Sequence, residues 1–386
     1  MKTAITNRIK YIGVDDTDLD LFESQYIIPN GISYNSYLIE DEKIAIIDTV
    51  DSRKSDEWLP MVESALNGRT PDYLVVQHME PDHAGSISHL AERYPSMQIV
   101  ASARAIQMLP QFFHTADFSA RTIAVKEGDT LSLGAHSLQF FMAPMVHWPE
   151  VMVTYDEQAK VLFSADGFGK FGALSADEEW ACEARRYYFN ICGKYGVQVQ
   201  ALLKKASTLD IECICPLHGP ILKENLGYYI GLYDTWSRYD VETEGIFIAY
   251  ASIHGGTAAA AHKLAEILRA KGAPKVSVAD LSRDDMAEAV EDAFRMDRLV
   301  VAAASYDGGV FPPMHDFLHH LQIKSYQRRK VGIVENGSWA PCAARVMRSM
   351  LETMKDVEIV EPVVTIRSRM KQADIPALEA LADALL

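Results

Sequence analysis

Short apolar runs, each breaking off at a polar side chain able to bind a metal, organise the first part of the chain. Tyr73-Leu74-Val75-Val76 is continuously apolar and of strand length, which predicts a short buried strand. SLQFFMAPM closes shortly before His147, VLFSA runs into Asp166, and ICPL runs into His218, so each predicts a strand with a donor residue at its end. The pattern changes past the helical segment LGYYIGLYDTWSRYD, where Val241-Glu242-Thr243-Glu244-Gly245 forms a polar link. From there strand-length and helix-length patterns alternate: IFIAYAS, a helix from about Thr257 to Lys271, VSVADL, a helix through AEAVEDAF, RLVVAAAS, a helix after Pro313, KVGIVENG and ARVMRSMLETM. That alternation predicts a doubly wound parallel sheet. The link divides the chain into residues 1–243 and 244–386.

The run VVQHMEPDHAGS carries His78, Glu80, Asp82 and His83 directly after the first of these strands. His78, Glu80 and Asp82 alternate as an extended chain would, while His83 follows at once and points elsewhere. The four therefore divide between two metals more readily than they crowd onto one. Pro81 also makes this an ordinary turn, and a solvated loop is the plain alternative. The recurrence of His147, Asp166 and His218 at further strand ends favours a dinuclear site along a sheet edge. His89, His114, His262, His315, His319 and His320 lack that setting and read as helix or surface residues.

In the second half three turns fall at strand ends on one sheet edge, where such folds bind ligands. Ser252-Ile253-His254-Gly255-Gly256-Thr257 leads into a helix and offers hydroxyls, glycines and a helix N-terminus to a phosphate. A glycine-rich turn is also common punctuation, so the companions matter: Ser305-Tyr306-Asp307-Gly308-Gly309 and Asn336-Gly337-Ser338-Trp339-Ala340.

Composition narrows the classes. The 386 residues are 48% hydrophobic and 23% charged, enough for two domains with sizeable cores. A net charge of −16 argues against nucleic acid and against acidic membrane surfaces, although a local acidic patch would attract a small basic electron carrier. No segment is long enough to span a membrane, and MKTAITNRIKYIGVDDTD lacks the apolar core of a signal peptide, which leads to the expectation of a cytoplasmic protein. Five cysteines without a C-x-x-C pair suit a reducing compartment, and Cys213-Ile214-Cys215 reads as small buried residues on a strand.

The His-x-Glu-x-Asp-His run, followed by His147, Asp166 and His218, resembles the flavodiiron proteins, also called A-type flavoproteins. GISYNSYLIEDEKIAIIDTVD, HWPEVMVTYD, LFSADGFG and CPLHGP extend the resemblance over essentially the whole chain. It implies a metallo-β-lactamase-like αβ/βα sandwich followed by a flavodoxin-like domain. By the same resemblance His78, Glu80 and His147 hold one iron, Asp82, His83 and His218 the other, and Asp166 bridges them, with Glu80 and Asp166 in the catalytic role. The three turns of the second half then bind FMN, with Tyr306 or Trp339 near its ring or simply packed, and the phosphate loop departs from the common flavodoxin pattern at His254 and Gly255. Asp48 takes a support role, while Tyr26 and Trp148 are candidates for the metal surroundings that also fit plain packing.

The implied activity is reduction of O2 to water, of NO to N2O, or both. Electrons would come from an external donor such as rubredoxin or a reduced deazaflavin, and the chains would pair as a head-to-tail homodimer. Two histidines with carboxylates at each metal form a hard N/O set suited to non-haem iron, with zinc as the physical rival. The competing function is a dinuclear zinc hydrolase of the metallo-β-lactamase superfamily with a flavodoxin-like regulatory domain, and a third reading is a non-catalytic electron carrier. The related hydrolases usually carry histidine where Glu80 stands, so Glu80 discriminates against hydrolysis.

Overall fold

Strands with no polar face dominate both halves of the molecule. In the computed structural model, which describes residues 4–114 and 117–386, every side chain of Ile44–Ile47, Tyr73–Val76 and Cys213–Cys215 is buried. Such strands must be covered on both sides.

The chain groups into two packed units, Met1–Tyr188 with Val197–Asp234, and Phe189–Gly196 with Thr235–Leu386. Phe189 and Asn190 belong with the second because the Phe189 ring stacks on Phe294 at 4.4 Å and the Asn190 amide donates to the Ala287 carbonyl at 3.1 Å.

The first unit is built on two large sheets, with two short two-stranded pairs beside them. One runs Ile9–Tyr11, Tyr37–Glu40, Ile44–Ile47, Tyr73–Val76, Gln98–Ser102, Thr122–Val125, and the other runs Thr130–Ser132, Ser137–Met142, Met152–Asp156, Val161–Phe163, Cys213–Cys215. Ile39, Ile47, Val75 and Val100 of the first share a core with Leu138, Phe140, Phe163 and Cys215 of the second, so the sheets stack face to face. Cys213 and Cys215 are buried in that core as free thiols. The helix Ser55–Leu66 buries Trp58, Val62 and Leu66, one residue per turn along a single stripe. It stops where Asn67 turns left-handed at φ 49°.

The second unit is one parallel sheet in the order Val276–Asp280, Thr243–Ala251, Met296–Tyr306, Lys330–Asn336, then the edge pieces Glu358–Ile359 and Val364–Ile366. This is the flavodoxin-like order 2-1-3-4-5, and its switch point lies between the first and third strands in the chain. The helix Gly256–Ala270 sits on the sheet through Ala260, Ala261, Leu264, Ala265 and Leu268. Two elements go beyond the sequence pattern. The edge strand is interrupted around Pro362 and offers no continuous apolar run, and the final helix Ile375–Leu385 buries Leu378, Leu381, Ala382 and Leu385 against the sheet. Gly332 makes room for it, since a Cβ there would lie 3.1 Å from Leu381 Cδ1. No helix among the described residues is long and apolar enough to cross a membrane.

Leu264 is wholly buried in this second core. Leu264→Ala is expected to destabilise the unit by about 3 kcal/mol, read from its chemical-denaturation midpoint.

Candidate functional site

The strand Tyr73–Val76 delivers the chain to Gln77, whose backbone N–H and side-chain amide both donate to Asp48, at 2.8 and 3.0 Å. Asp48 is buried and left-handed at φ 52°, and burial pushes its carboxyl up to about 6 against the pull of the Gln77 hydrogen bonds. This clamp aims the next residue, His78. The Nδ1 of His78 lies 2.8 Å from Glu150 Oε1, which also accepts from the Met79 backbone at 3.0 Å, so its Nε2 is left for the site.

The extended alternation expected through Asp82 stops at Glu80. Pro81 is the first residue of a helical turn, Pro81–Ala84, for which its fixed φ suits it, and the turn carries Asp82 and His83 away from the line of His78 and Glu80. Thr49 holds the turn by donating its N–H and hydroxyl to the His83 carbonyl, at 3.0 and 2.5 Å. On the second sheet, His218 follows Cys213–Cys215, and its Nδ1 donates to the Ser33 carbonyl at 2.7 Å. Asn35 pins the same loop by donating to the carbonyls of Pro216 and Gly219, each at 2.8 Å. Thus the Ser33-Tyr34-Asn35 segment and Glu150, neither named as site residues from the sequence, orient two of the histidines. Glu150 was findable, since it stands three residues after His147.

The donors form two groups, His78, Glu80, His147 and Asp166, and Asp82, His83 and His218, with the ligand atoms of each group within 4.8 Å of one another. Glu80 Oε2 lies 2.9 Å from His147 Nε2 and 3.2 Å from His78 Nε2. Asp82 Oδ2 lies 3.2 Å from the Nε2 atoms of both His83 and His218. Asp166 faces both groups. Its Oδ2 lies 3.3 Å from His78 and 3.4 Å from His147, and its Oδ1 lies 3.3 Å from His83 and 3.7 Å from His218.

Both oxygens of Asp82 and of Asp166, with His83 Nε2 and His218 Nε2, are buried without a hydrogen-bond partner among the described residues. Leaving so many polar atoms unsatisfied together is costly unless cations occupy the space between them. The charges argue the same way. Burial disfavours a protonated His78, yet Asp166, Glu150 and Glu80 raise its basicity well above the usual imidazole range. Asp82 and Asp166 likewise outweigh burial at His83 and push it up to about 9. Asp166 stays ionised in spite of burial because His78 and His83 face it. Without metal, protons compensate the carboxylates, and bound metal takes their place.

Aromatic rings wall the site. Trp148 meets His78 edge-on at 5.3 Å and lies 6.2 Å from His147, while Phe22 and Tyr187 flank His218 at 5.4 and 5.5 Å. Tyr26 packs on Phe171 at 5.8 Å. Glu23, unremarked in the sequence, has its carboxyl pushed up to about 7 by burial and by Glu80.

The second unit has a cavity of about 690 Å³ at its sheet edge. Of the expected turns, Ser252, Ile253, His254, Gly256, Thr257, Ser305, Tyr306, Asp307, Gly308, Asn336, Gly337, Ser338, Trp339 and Ala340 line it, joined by Ala304, Cys342, Ser368 and Arg369. Gly255 and Gly309 do not line it. Gly255 caps the helix Gly256–Ala270 at φ 82°, and Gly309 pairs with Tyr306 in a short hairpin. Ser305 spends its hydroxyl as acceptor for the N–H groups of Cys342 and Ala343, at 2.8 and 3.1 Å. The cavity fits FMN. The helix begins without a side-chain cap, leaving N–H groups for a phosphate, and Trp339, 89% exposed, and Tyr306 offer rings to a flat partner.

A family model described as ODP family beta lactamase matches residues 32–219. The chain is 30% identical over 375 residues to a nitric oxide reductase of Moorella thermoacetica, covering 94% of this chain and 93% of that one. It is also 30% identical over 351 residues to an anaerobic nitric oxide reductase flavorubredoxin of Aliivibrio fischeri, covering 88% and 70%. Among solved structures, the rubredoxin oxygen:oxidoreductase of Desulfovibrio gigas superposes with a TM-score of 0.93 at 26% identity, over 99% of this chain and 97% of that one.

Glu150→Ala removes the acceptor at His78 Nδ1, and metal affinity, read by competition with a chelator, is expected to fall about 10- to 100-fold.

Proposed function

The chain belongs to the flavodiiron family of oxidoreductases, whose members carry FMN and a non-haem diiron site, and from that premise we propose that it reduces O2 to water, NO to N2O, or both. The observation that carries the reading is Asp166, with one oxygen toward each group of histidines and carboxylates. In this reading His78, Glu80 and His147 would hold one iron and Asp82, His83 and His218 the other, with Asp166 offering one oxygen to each. FMN sits in the cavity lined by the Ser252–Thr257, Ser305–Gly308 and Asn336–Ala340 turns. In this division residues 1–243 hold all seven metal donors and residues 244–386 all three FMN turns. An external carrier such as rubredoxin or a reduced deazaflavin supplies electrons, in the cytoplasm.

When bound, FMN and the iron pair supply the electron storage that a multi-electron reduction requires. The chain's own residues set the conditions for it. Glu80 adds an anionic ligand that favours the higher charge of ferric iron over zinc. Glu150 and the Ser33 carbonyl hold His78 and His218 with Nε2 turned inward. Phe22, Tyr187 and Trp148 keep the site apolar around a small uncharged gas, which needs no charged recognition group.

Reduced protein mixed anaerobically with O2 or with NO is expected to reoxidise rapidly with at least one gas, followed by flavin absorbance in a stopped-flow instrument. His147→Ala should lose iron and rapid reoxidation while keeping FMN, because ligand and flavin lie in different units. Slow reoxidation of the iron-loaded wild type by both gases would sink the proposal. We further propose a head-to-tail homodimer, and light scattering is expected to give twice the chain mass, with an active monomer as the contrary result.

A further inference from the structure

We propose that Arg369 anchors the phosphate of the bound FMN, a role that rests on the FMN reading of the cavity. Among the described residues, Arg369 is the only Lys or Arg that lines it. The expected phosphate loop, Ser252 to Thr257, supplies hydroxyls, backbone N–H groups and one histidine, but no fixed positive charge. Asp307 adds a carboxylate to the same cavity, and the whole chain carries −16. A dianionic phosphate entering such a place benefits strongly from a guanidinium, which offers paired N–H donors at fixed geometry. The Arg369 guanidinium has no ion pair among the described residues, so its charge is uncommitted.

Position supports the same assignment. Ser368, left-handed at φ 64°, is clamped by the Asn336 amide, donating its N–H to Oδ1 at 3.0 Å and accepting from Nδ2 at 2.8 Å. Its hydroxyl lies 2.8 Å from that of Ser338. Lys371 ties the far side by donating to the carbonyls of Arg367 and Arg369, at 2.8 and 2.9 Å. The clamped loop abuts the start of the helix Gly256–Ala270, since a Cβ on Gly256 would lie 2.2 Å from the Ser368 carbonyl oxygen. That helix start is the end of the cavity where an anion is favoured. Arg369 is therefore held on a short, braced loop that abuts the phosphate end of the cavity.

The test compares FMN with riboflavin, which lacks the phosphate, by fluorescence titration of flavin-free full-length protein. Wild type should bind FMN much more tightly than riboflavin. Arg369→Gln should weaken FMN about 10- to 100-fold while leaving riboflavin unchanged, and Arg369→Lys should recover part of the loss. Equal weakening of both flavins would reduce Arg369 to a brace for the loop, and an unchanged FMN affinity would remove it from the site; either overturns the inference and leaves the FMN reading intact. A wild type that binds neither flavin would overturn the FMN reading itself, and the inference with it.

Discussion

Everything in the first unit turns on one buried carboxylate. Asp166 sits at the end of the Val161–Phe163 strand with both oxygens out of water and without a hydrogen-bond donor, yet each oxygen faces two histidine nitrogens at 3.3 to 3.7 Å. An ionised group so placed is tolerable only when positive charge stands on both sides. The stacked sheets supply the frame. Strand ends of one bring His78 and the Glu80–His83 turn, strand ends of the other bring His147, Asp166 and His218, and the shared apolar core fixes the spacing between them.

Around that centre, the protein spends hydrogen bonds on orienting the metal-facing side chains. Glu150 and the Ser33 carbonyl, braced by Asp48 and Asn35, settle which ring nitrogen of His78 and His218 faces inward. The second unit follows the same economy. Its cavity is built from glycines, hydroxyls and amides whose hydrogen bonds shape loops, as with Asn336 holding Ser368 and Ser305 capping the helix Ala343–Leu351. Among the described residues a single guanidinium, that of Arg369, stands on its wall.

The sequence made the donors legible because each follows an apolar run, and a strand fully buried on both faces has a plain signature. It also made the alternation of the second unit legible as far as ARVMRSMLETM. What it hid has physical causes. The helical turn at Pro81 looks extended in sequence, because a single turn is too short to show a period of 3.6. Glu150, Ser33 and Asn35 act through hydrogen bonds to residues distant in the chain, which no local pattern reports. The Ser368–Arg369 wall follows an edge strand interrupted around Pro362, so the element that positions it had no continuous apolar run to announce it.

The central claim is that the donors around Asp166 would hold a coupled pair of irons, and Mössbauer spectroscopy of the protein loaded with 57Fe tests it most directly, combined with EPR of the oxidised form. The account predicts two irons per chain, both ferric, coupled through their bridge and therefore EPR-silent in the oxidised state. A single iron per chain, or two magnetically independent ferric ions with ordinary high-spin EPR signals, would contradict it.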